Sequence, residues 1–530
     1  MQIWTFFITL ALVYCLNAMP SNPRSIVVNG AAVSWTAPSD VGSGLHSYRV
    51  YRGNVLYQEI PGTGTSLTTG SNVDMPVEVQ AVDKSGAVSG LARRNPAWTK
   101  TFAGAINQIT AGTVDADDNV IVGGFFSGEI NFGTGVLSSS PRQYALFLAK
   151  FSSDGVCQWA KRFVFPASAT LNGVAADSEG SVIIGGHFQN NLDFGGGDLQ
   201  SLGSYDIFVA KFDADGDHVW SNRYGGQSSY GDLLYSVAVD SSDNIFIGGY
   251  FSEDANFGGE WLGQAWTGQH PFVAKYNSSG EHVWSKTFPA PGGVSVSGIA
   301  TDSNDRVIIT GYFGATINFG GDTLVTIGSG DVFLAVFSND GTHVWSDSYG
   351  GYYTDKGYAV AVDGSDNILL TAVYSDLFGP VLFGGSQINP ARAAGSAQVA
   401  VAKYTSAGSH VWSFGFGSAS HDNPTAIKAD SNDNVIVAGI VGASVDFGGG
   451  VLPGLGSYEG FIAKYNSDGE NISGELISGG GQDSVACLAV DSEGYIIAAG
   501  SFQSVEVSIG GQPYANSGTS FNSFIYKKAP

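Results

Sequence analysis

Charge is scarce in this chain, and positive charge is scarcest. Only 13% of the 530 residues are Asp, Glu, Lys or Arg, where about 25% is usual. Lys and Arg number 23 against 47 acidic residues, a formal net charge of −24. That balance argues against a nucleic acid or an anionic membrane as partner, since both require basic patches. Its plain consequence is solubility outside the cell. There are three cysteines. Cys15 lies in the N-terminal apolar run, Cys157 near an outer strand and Cys487 near an inner one. Such strands are about 14 Å apart at ~4.8 Å per strand, and a disulfide needs Cα atoms within about 7 Å. Two buried thiols are therefore expected rather than a bridge. A 3.6-residue hydrophobic period is missing, which excludes helical repeats. Also missing are a G-x-S-x-G elbow, an H-E-x-x-H pair and a P-loop, so no catalytic set emerges.

Glycine is plentiful instead, with 75 residues, and aromatics make up 12%. Such a composition suits many tight turns between buried strands. The stretch SVAVDSSDNIFIGGY (236–250), followed by FVAKYNSSGEHVW (272–284), reads as two successive hairpins. β-Branched and aromatic runs flank an Asp-rich turn and an Asn-Ser-Ser-Gly turn. The pattern occurs seven times. Its opening Asp recurs at Asp115, Asp177, Asp240, Asp302, Asp363, Asp430 and Asp491, at spacings of 61 to 67 residues. The later strand recurs from FLAKF (147–151) to FIYKK (524–528), and the last strand carries Trp159, Trp220, Trp284, Trp345 and Trp412. Between the hairpins stands NFG at Asn131, Asn256 and Asn318, DFG at Asp193 and Asp446, and LFG at Leu382.

Four short strands in a unit of this length suit a propeller blade, somewhat longer than the common ~40–50 residues. The ends add to that reading. The seventh repeat stops at Pro530 after its third strand, with no Trp strand of its own. Trp98-Thr-Lys-Thr-Phe102, just before the first repeat, matches Trp284-Ser-Lys-Thr-Phe288. Residues 96–104 are thus predicted to be the displaced fourth strand of the last blade. Pairing them beside FIYKK closes the ring and removes an exposed sheet edge. The expected fold is all-β: a seven-bladed propeller of four-stranded blades over 96–530, closed by its N-terminal strand.

Ahead of it, residues 1–18 form an uncharged apolar run that predicts a secretory signal peptide. A lipoprotein box ending at Cys15 and an uncleaved anchor are the alternatives. No other membrane insertion is expected. Residues 20–94 contain short alternating strands between Pro, Gly and Ser turns, as a small β-sandwich does. Trp35, Tyr48 in SYRVYR, and AVDKSGAVS (81–89) carry a resemblance to fibronectin type III domains, although Val77 stands where that family usually has a tyrosine. The resemblance implies a spacer or adhesive module. In the repeats, VDSxDN, GGxF, DFGGG, FVAKY, DG and HVWS resemble the bacterial seven-bladed propeller repeat known as SBBP. That family is associated with secreted and surface proteins and mostly lacks an assigned activity, so the resemblance implies a fold and an extracellular or periplasmic location more than a function.

Asp115, Asp117 and Asn119 have the alternate spacing of a calcium loop. The other copies keep only the first Asp, while the fourth turn position is Asp or Gly in all seven, as φ > 0 requires. A turn is the stronger expectation and calcium the lesser one. His218, His282, His343 and His410 each precede Val-Trp, but on different blades, too far apart to share a zinc ion. The segments that differ between repeats fall on one face of the ring, where binding usually resides. Tyr230, Asp232, Trp261, Trp266, Tyr352, Tyr353, Asp355 and His421 are the candidate ligand contacts there; the competing reading packs the aromatics between blades. The expected protein is an exported, monomeric, non-enzymatic scaffold that binds an extracellular protein or glycan. Two alternatives stand beside it: a glycoside hydrolase or lyase with acidic residues at the channel, and a spacer in a surface assembly.

Overall fold

Each repeat opens on a hairpin held by one carboxylate. In repeat 3 the strands Leu233–Val239 and Ile245–Ser252 flank Asp240, which accepts the N–H groups of Ser242 at 3.0 Å and Asn244 at 2.8 Å. The fourth turn residue, Asp243, has φ 61°, and Asp118, Asp305, Asp366 and Asp433 lie at 56° to 61°. Gly180 and Gly494 fill the same left-handed position in the other two repeats. This is the reason for Asp or Gly there, since few other residues accept that region. Gln269–Tyr276 and His282–Thr287 complete a four-stranded antiparallel meander.

The computed structural model describes the strands between residues 24 and 94, and residues 97–530 apart from 105, 141–142, 264–267, 376–380, 386, 389–396, 443 and 517–519. The expected signal peptide lies outside the described residues. The chain divides after Ala97 into two units. In the second, repeats 1 to 6 each supply a four-stranded meander. Repeat 7 supplies three strands, and its last, Asn522–Lys528, pairs with Trp98–Phe102 in the register Lys527↔Trp98 to Ser523↔Phe102. The first strands lie side by side from repeat 1 to repeat 7, and that of repeat 7 also touches that of repeat 1. This is a β-propeller repeat fold.

Three recurring contacts join most of the sheets to the next. The lysine of the third strand is buried against the turn Asp of its own repeat, with Nζ–O distances of 2.9 Å for Lys150–Asp115, 2.8 Å for Lys211–Asp177 and 2.7 Å for Lys527–Asp491. The same ammonium donates to a carbonyl of the following repeat, as Lys211 does to Ser278 and Lys527 to Ser153. Repeat 4 has Val336 in place of the lysine, and there Arg306, four residues after Asp302, pairs with it at 2.6 Å. The indole N–H of the fourth strand also reaches the next repeat: Trp220 to Ser278, Trp412 to Ser467, and Trp98 to Ser153. Finally, the Phe of each NFG or DFG hairpin packs on an aromatic of the preceding outer strand, with centroids 4.9 Å apart for Phe102–Phe132 and 4.8 Å for Phe288–Phe319. These residues are conspicuous in sequence because they form the seams between sheets.

The four histidines make contacts within their own repeats. His218 bonds Ser221 at 3.1 Å and His343 bonds Ser346 at 3.0 Å. A Cβ on Gly196 would lie 2.3 Å from His218 Cε1, which accounts for the second glycine of the DFGG hairpin. Cys157 and Cys487 are free thiols; both are half-buried, more open than the sequence suggests.

The first unit holds two antiparallel sheets. One joins Arg24–Asn29, Ala32–Thr36 and Ser66–Thr68, and the other Val55–Pro61, Leu45–Arg52, Val77–Asp83 and Ala92–Arg94. Tyr48, Val50, Val79 and Ala81 are buried.

Candidate functional site: the mouth of the axial channel

The first strand of every repeat contains one β-bulge. The unpaired residues are Thr110, Asn172, Tyr235, Ser297, Tyr358, Thr425 and Ala486, each five positions before the opening Asp. A bulge re-aims a side chain, and all seven residues line one axial cavity of about 180 Å³. Two of their hydroxyls bind the neighbouring repeat: Thr110 donates to the Leu171 carbonyl at 2.6 Å and Thr425 to that of Val485 at 2.8 Å.

Bulge-residue size makes the ring asymmetric. Repeats 3 and 5 carry tyrosines. Tyr235 packs on Tyr250 with centroids 6.0 Å apart, and beside them the Lys356 ammonium sits 4.6 Å from the Tyr312 centroid. Repeats 1, 6 and 7 carry Thr110, Thr425 and Ala486, and over these small residues opens a cavity of about 780 Å³. It lies on the face of the variable connections. Gln108, Asn423, Gln482 and Ser484 present amides and a hydroxyl to it, and Tyr458 and Phe521 give it aromatic walls. His421 and the Asp483 carboxyl also line it. Neutral hydrogen-bonding groups beside aromatic rings in a concave site suit a polar, uncharged ligand surface.

The other candidate residues are dispersed. Tyr230 and Tyr352 stand in solvent, 77% and 59% exposed, and Tyr353 is half-buried. Trp261 is exposed in the small hairpin Ala255–Asn256/Trp261–Leu262, away from the channel lining. Trp266 falls outside the described residues. Asp232 and Asp355 are buried and knot their own loops. Asp232 accepts from Gly226 N–H at 2.8 Å and Ser252 N–H at 2.9 Å, and Asp355 accepts from Gly351 at 2.6 Å and Ser375 at 3.1 Å. Asp422 and Asp483 do the same through Ser418 and Ser504. Asp232 and Asp355 lie beneath the surface that a ligand would touch, whereas Asp483 also lines the mouth cavity.

Each of three such residues faces a second carboxyl from the preceding repeat. Burial raises Asp232 to about 7, with Asp206 adding to the rise against loop N–H bonds and Arg223. Asp355 is raised by burial to about 7, with Asp331 adding, and Asp483 by burial to about 6, with Glu459 adding. At Asp115, burial acts upward too, but bonds from Lys150 and Asn119 outweigh it and leave the carboxyl lowered. That carboxylate is already bound by Lys150 and by the side chain and N–H of Asn119. Among the described residues no three His, Cys, Asp or Glu side chains converge as a metal site would require.

No family model matches the chain. Over 255 residues it is 23% identical to an uncharacterized WD repeat-containing protein of Acanthamoeba polyphaga mimivirus, a match covering 40% of this chain and 18% of that one. The chain therefore spans less than a fifth of that relative's length. Among solved structures, a Bacillus licheniformis rhamnogalacturonan lyase overlaps at 14% identity and TM-score 0.40, with 96% of this chain and 90% of that one covered. The β-propeller domain of the trilobed protease from Pyrococcus furiosus overlaps at 9% identity and TM-score 0.41, covering 78% and 97%. Overlaps this loose carry no information about ligand or activity.

Proposed function

We propose that this chain is an exported, non-enzymatic, monomeric binding protein that holds a glycan in the mouth cavity of a closed seven-bladed propeller. The pairing of Trp98–Phe102 with the last strand supports the closure. The strand orders of the first unit, three strands in one sheet and four in the other, support a fibronectin type III-like sandwich that displays the propeller. Calcium at Asp115 is no part of this reading, because Lys150 occupies that carboxylate. One observation carries the functional reading. The variable-loop face has a cavity of about 780 Å³ whose polar lining is mostly amide and hydroxyl and whose walls include Tyr458 and Phe521. Sugars present matching hydroxyls and flat apolar faces.

An enzymatic reading draws on Asp483, a carboxyl raised to about 6 by burial beside Glu459, at the edge of this cavity. The comparison between repeats weighs against it. Asp206 with Asp232, and Asp331 with Asp355, repeat the same arrangement away from the cavity. Both oxygens of Asp483 are also held by Ser504 Oγ at 2.8 Å. A catalytic pair would be peculiar to one repeat.

The test is a glycan array with the full chain, followed by calorimetry on any hit. Asn423→Ala and Gln482→Ala should each weaken binding about tenfold, the worth of roughly one hydrogen bond of 1–1.5 kcal/mol. Binding that is equal in wild type and both variants would show that the cavity is not the site.

A further inference from the structure

The axial channel contains one residue that its repeat pattern does not explain. Two positions before the opening Asp, six repeats carry Thr113, Ala175, Ala238, Ala300, Ala361 and Ala489; repeat 6 carries Lys428. Among the described residues lining the channel, Lys428 is the only charged one. Its side chain is exposed to solvent and lines the channel beside the neighbouring first strands. Among the described residues no ion pair joins it, unlike the six lysines of the third strands, each bound to a turn Asp.

The channel adjoins the mouth cavity. Both are lined by Thr110, Thr425 and Ala486. Lys428 lies three residues beyond Thr425 on the same strand, Asn423–Ala429, so its Cα is about 10 Å deeper at ~3.3 Å per residue. We propose that Lys428 makes the axial channel a binding site for one carboxylate group, carried in by an acidic sugar seated in the mouth cavity. The identification of the sugar rests on the glycan reading above; the anion site rests on Lys428 alone.

The physical case has three parts. An unpaired ammonium in a cleft between protein walls focuses its field on an entering anion more than one on an open surface does. Burial lowers the Lys428 pKa, and only the Cys487 thiol nearby opposes that shift; a bound carboxylate would supply the missing compensation. The polar bulge residues Thr110, Asn172, Ser297 and Thr425 supply neutral partners that leave the charge on Lys428 unopposed.

The probes are glucose, glucuronate and acetate, titrated calorimetrically into the full chain and into Lys428→Met, which keeps the length of the side chain and removes its charge. Glucuronate should bind wild type at least tenfold more tightly than glucose, and Lys428→Met should lose that preference with an unchanged melting temperature. Acetate reads the channel without a sugar ring. Acetate binding to wild type but not to Lys428→Met, with neither sugar bound, would uphold the anion site and overturn the sugar as its source. Glucose and glucuronate binding equally to wild type, with acetate bound by neither protein, would overturn the anion site and leave the glycan reading intact. Any carboxylate binding that survives in Lys428→Met also overturns the proposal.

Discussion

Phe102 and Phe288 offer a matched pair for testing how the propeller is held together. They end the equivalent motifs WTKTF and WSKTF, and each is 5% exposed. Phe288 packs on Phe319 and Phe337 at 4.8 and 5.3 Å, and Phe102 packs on Phe132 and Phe151 at 4.9 and 5.7 Å. The difference is covalent. Phe288 directly follows the fourth strand of its repeat, His282–Thr287, which a short turn joins to the third strand, whereas Phe102 is on a strand some 420 residues from the partner it pairs with, as in Phe102↔Ser523. Truncating a buried Phe to Ala removes its transfer energy and leaves a cavity, together about 3–5 kcal/mol. If Trp98–Phe102 is as firmly seated in solution as an internal strand, Phe102→Ala and Phe288→Ala should each cost that amount in equilibrium urea unfolding. Agreement within about 1 kcal/mol is expected. A Phe102→Ala cost below about 1 kcal/mol beside a full Phe288→Ala cost would mean that the strand is not held, and would refute the closure. The truncation counterpart removes residues 1–95 or residues 1–104; only the second should lower the melting temperature of the propeller substantially.

Removing Arg306 in Arg306→Ala leaves the buried Asp302 without its cation and should cost about 3 kcal/mol; adding Val336→Lys restores the lysine found in the other repeats and should recover most of the loss in denaturant titration. Gly196→Ala places a methyl 2.3 Å from His218 Cε1 and should cost about 1–3 kcal/mol as overpacking, read by thermal melting. Thr425→Tyr introduces the bulge residue of repeats 3 and 5 and should fill the mouth cavity, so that glycan binding disappears while the melting temperature holds. Asp232, Asp355 and Asp483 have folded pKa values raised to about 7, 7 and 6. Above the ordinary carboxylate value the folded protein then retains protons that the unfolded chain releases. Stability from these groups is present at low pH and declines as pH rises through about 6–7, by up to about 1.4 kcal/mol per pH unit for each group. Asp232→Asn should therefore flatten the urea midpoint between pH 5 and 8 and raise it at pH 8; an unchanged profile would contradict the buried pair.

The β-propeller repeat was legible in the sequence because its markers are seam residues. Trp220, Lys275, Phe257 and Asp240 each make a contact between or within sheets that most repeats make again, so each recurs at a fixed phase. The unpaired Trp98 motif was legible for the same reason, as a seam residue without a repeat around it. Asp232 and Asp355 were visible as acidic residues in variable loops, but sequence does not tell whether a loop carboxylate faces water or its own backbone. Burial decided that, and it placed them beneath the surface. The mouth cavity was illegible because it depends on which bulge residues are small, and a bulge is a mismatch between two strands rather than a property of either. Thr110, Thr425 and Ala486 stand five residues before their Asp in every case, so the position was available while its direction was not. Local chemistry thus determined the strands, turns and seams. Only the packing of the sheets side by side brought Gln108, Asn423 and Gln482 from three distant repeats to one cavity, and put Lys428 among the residues of the axial channel.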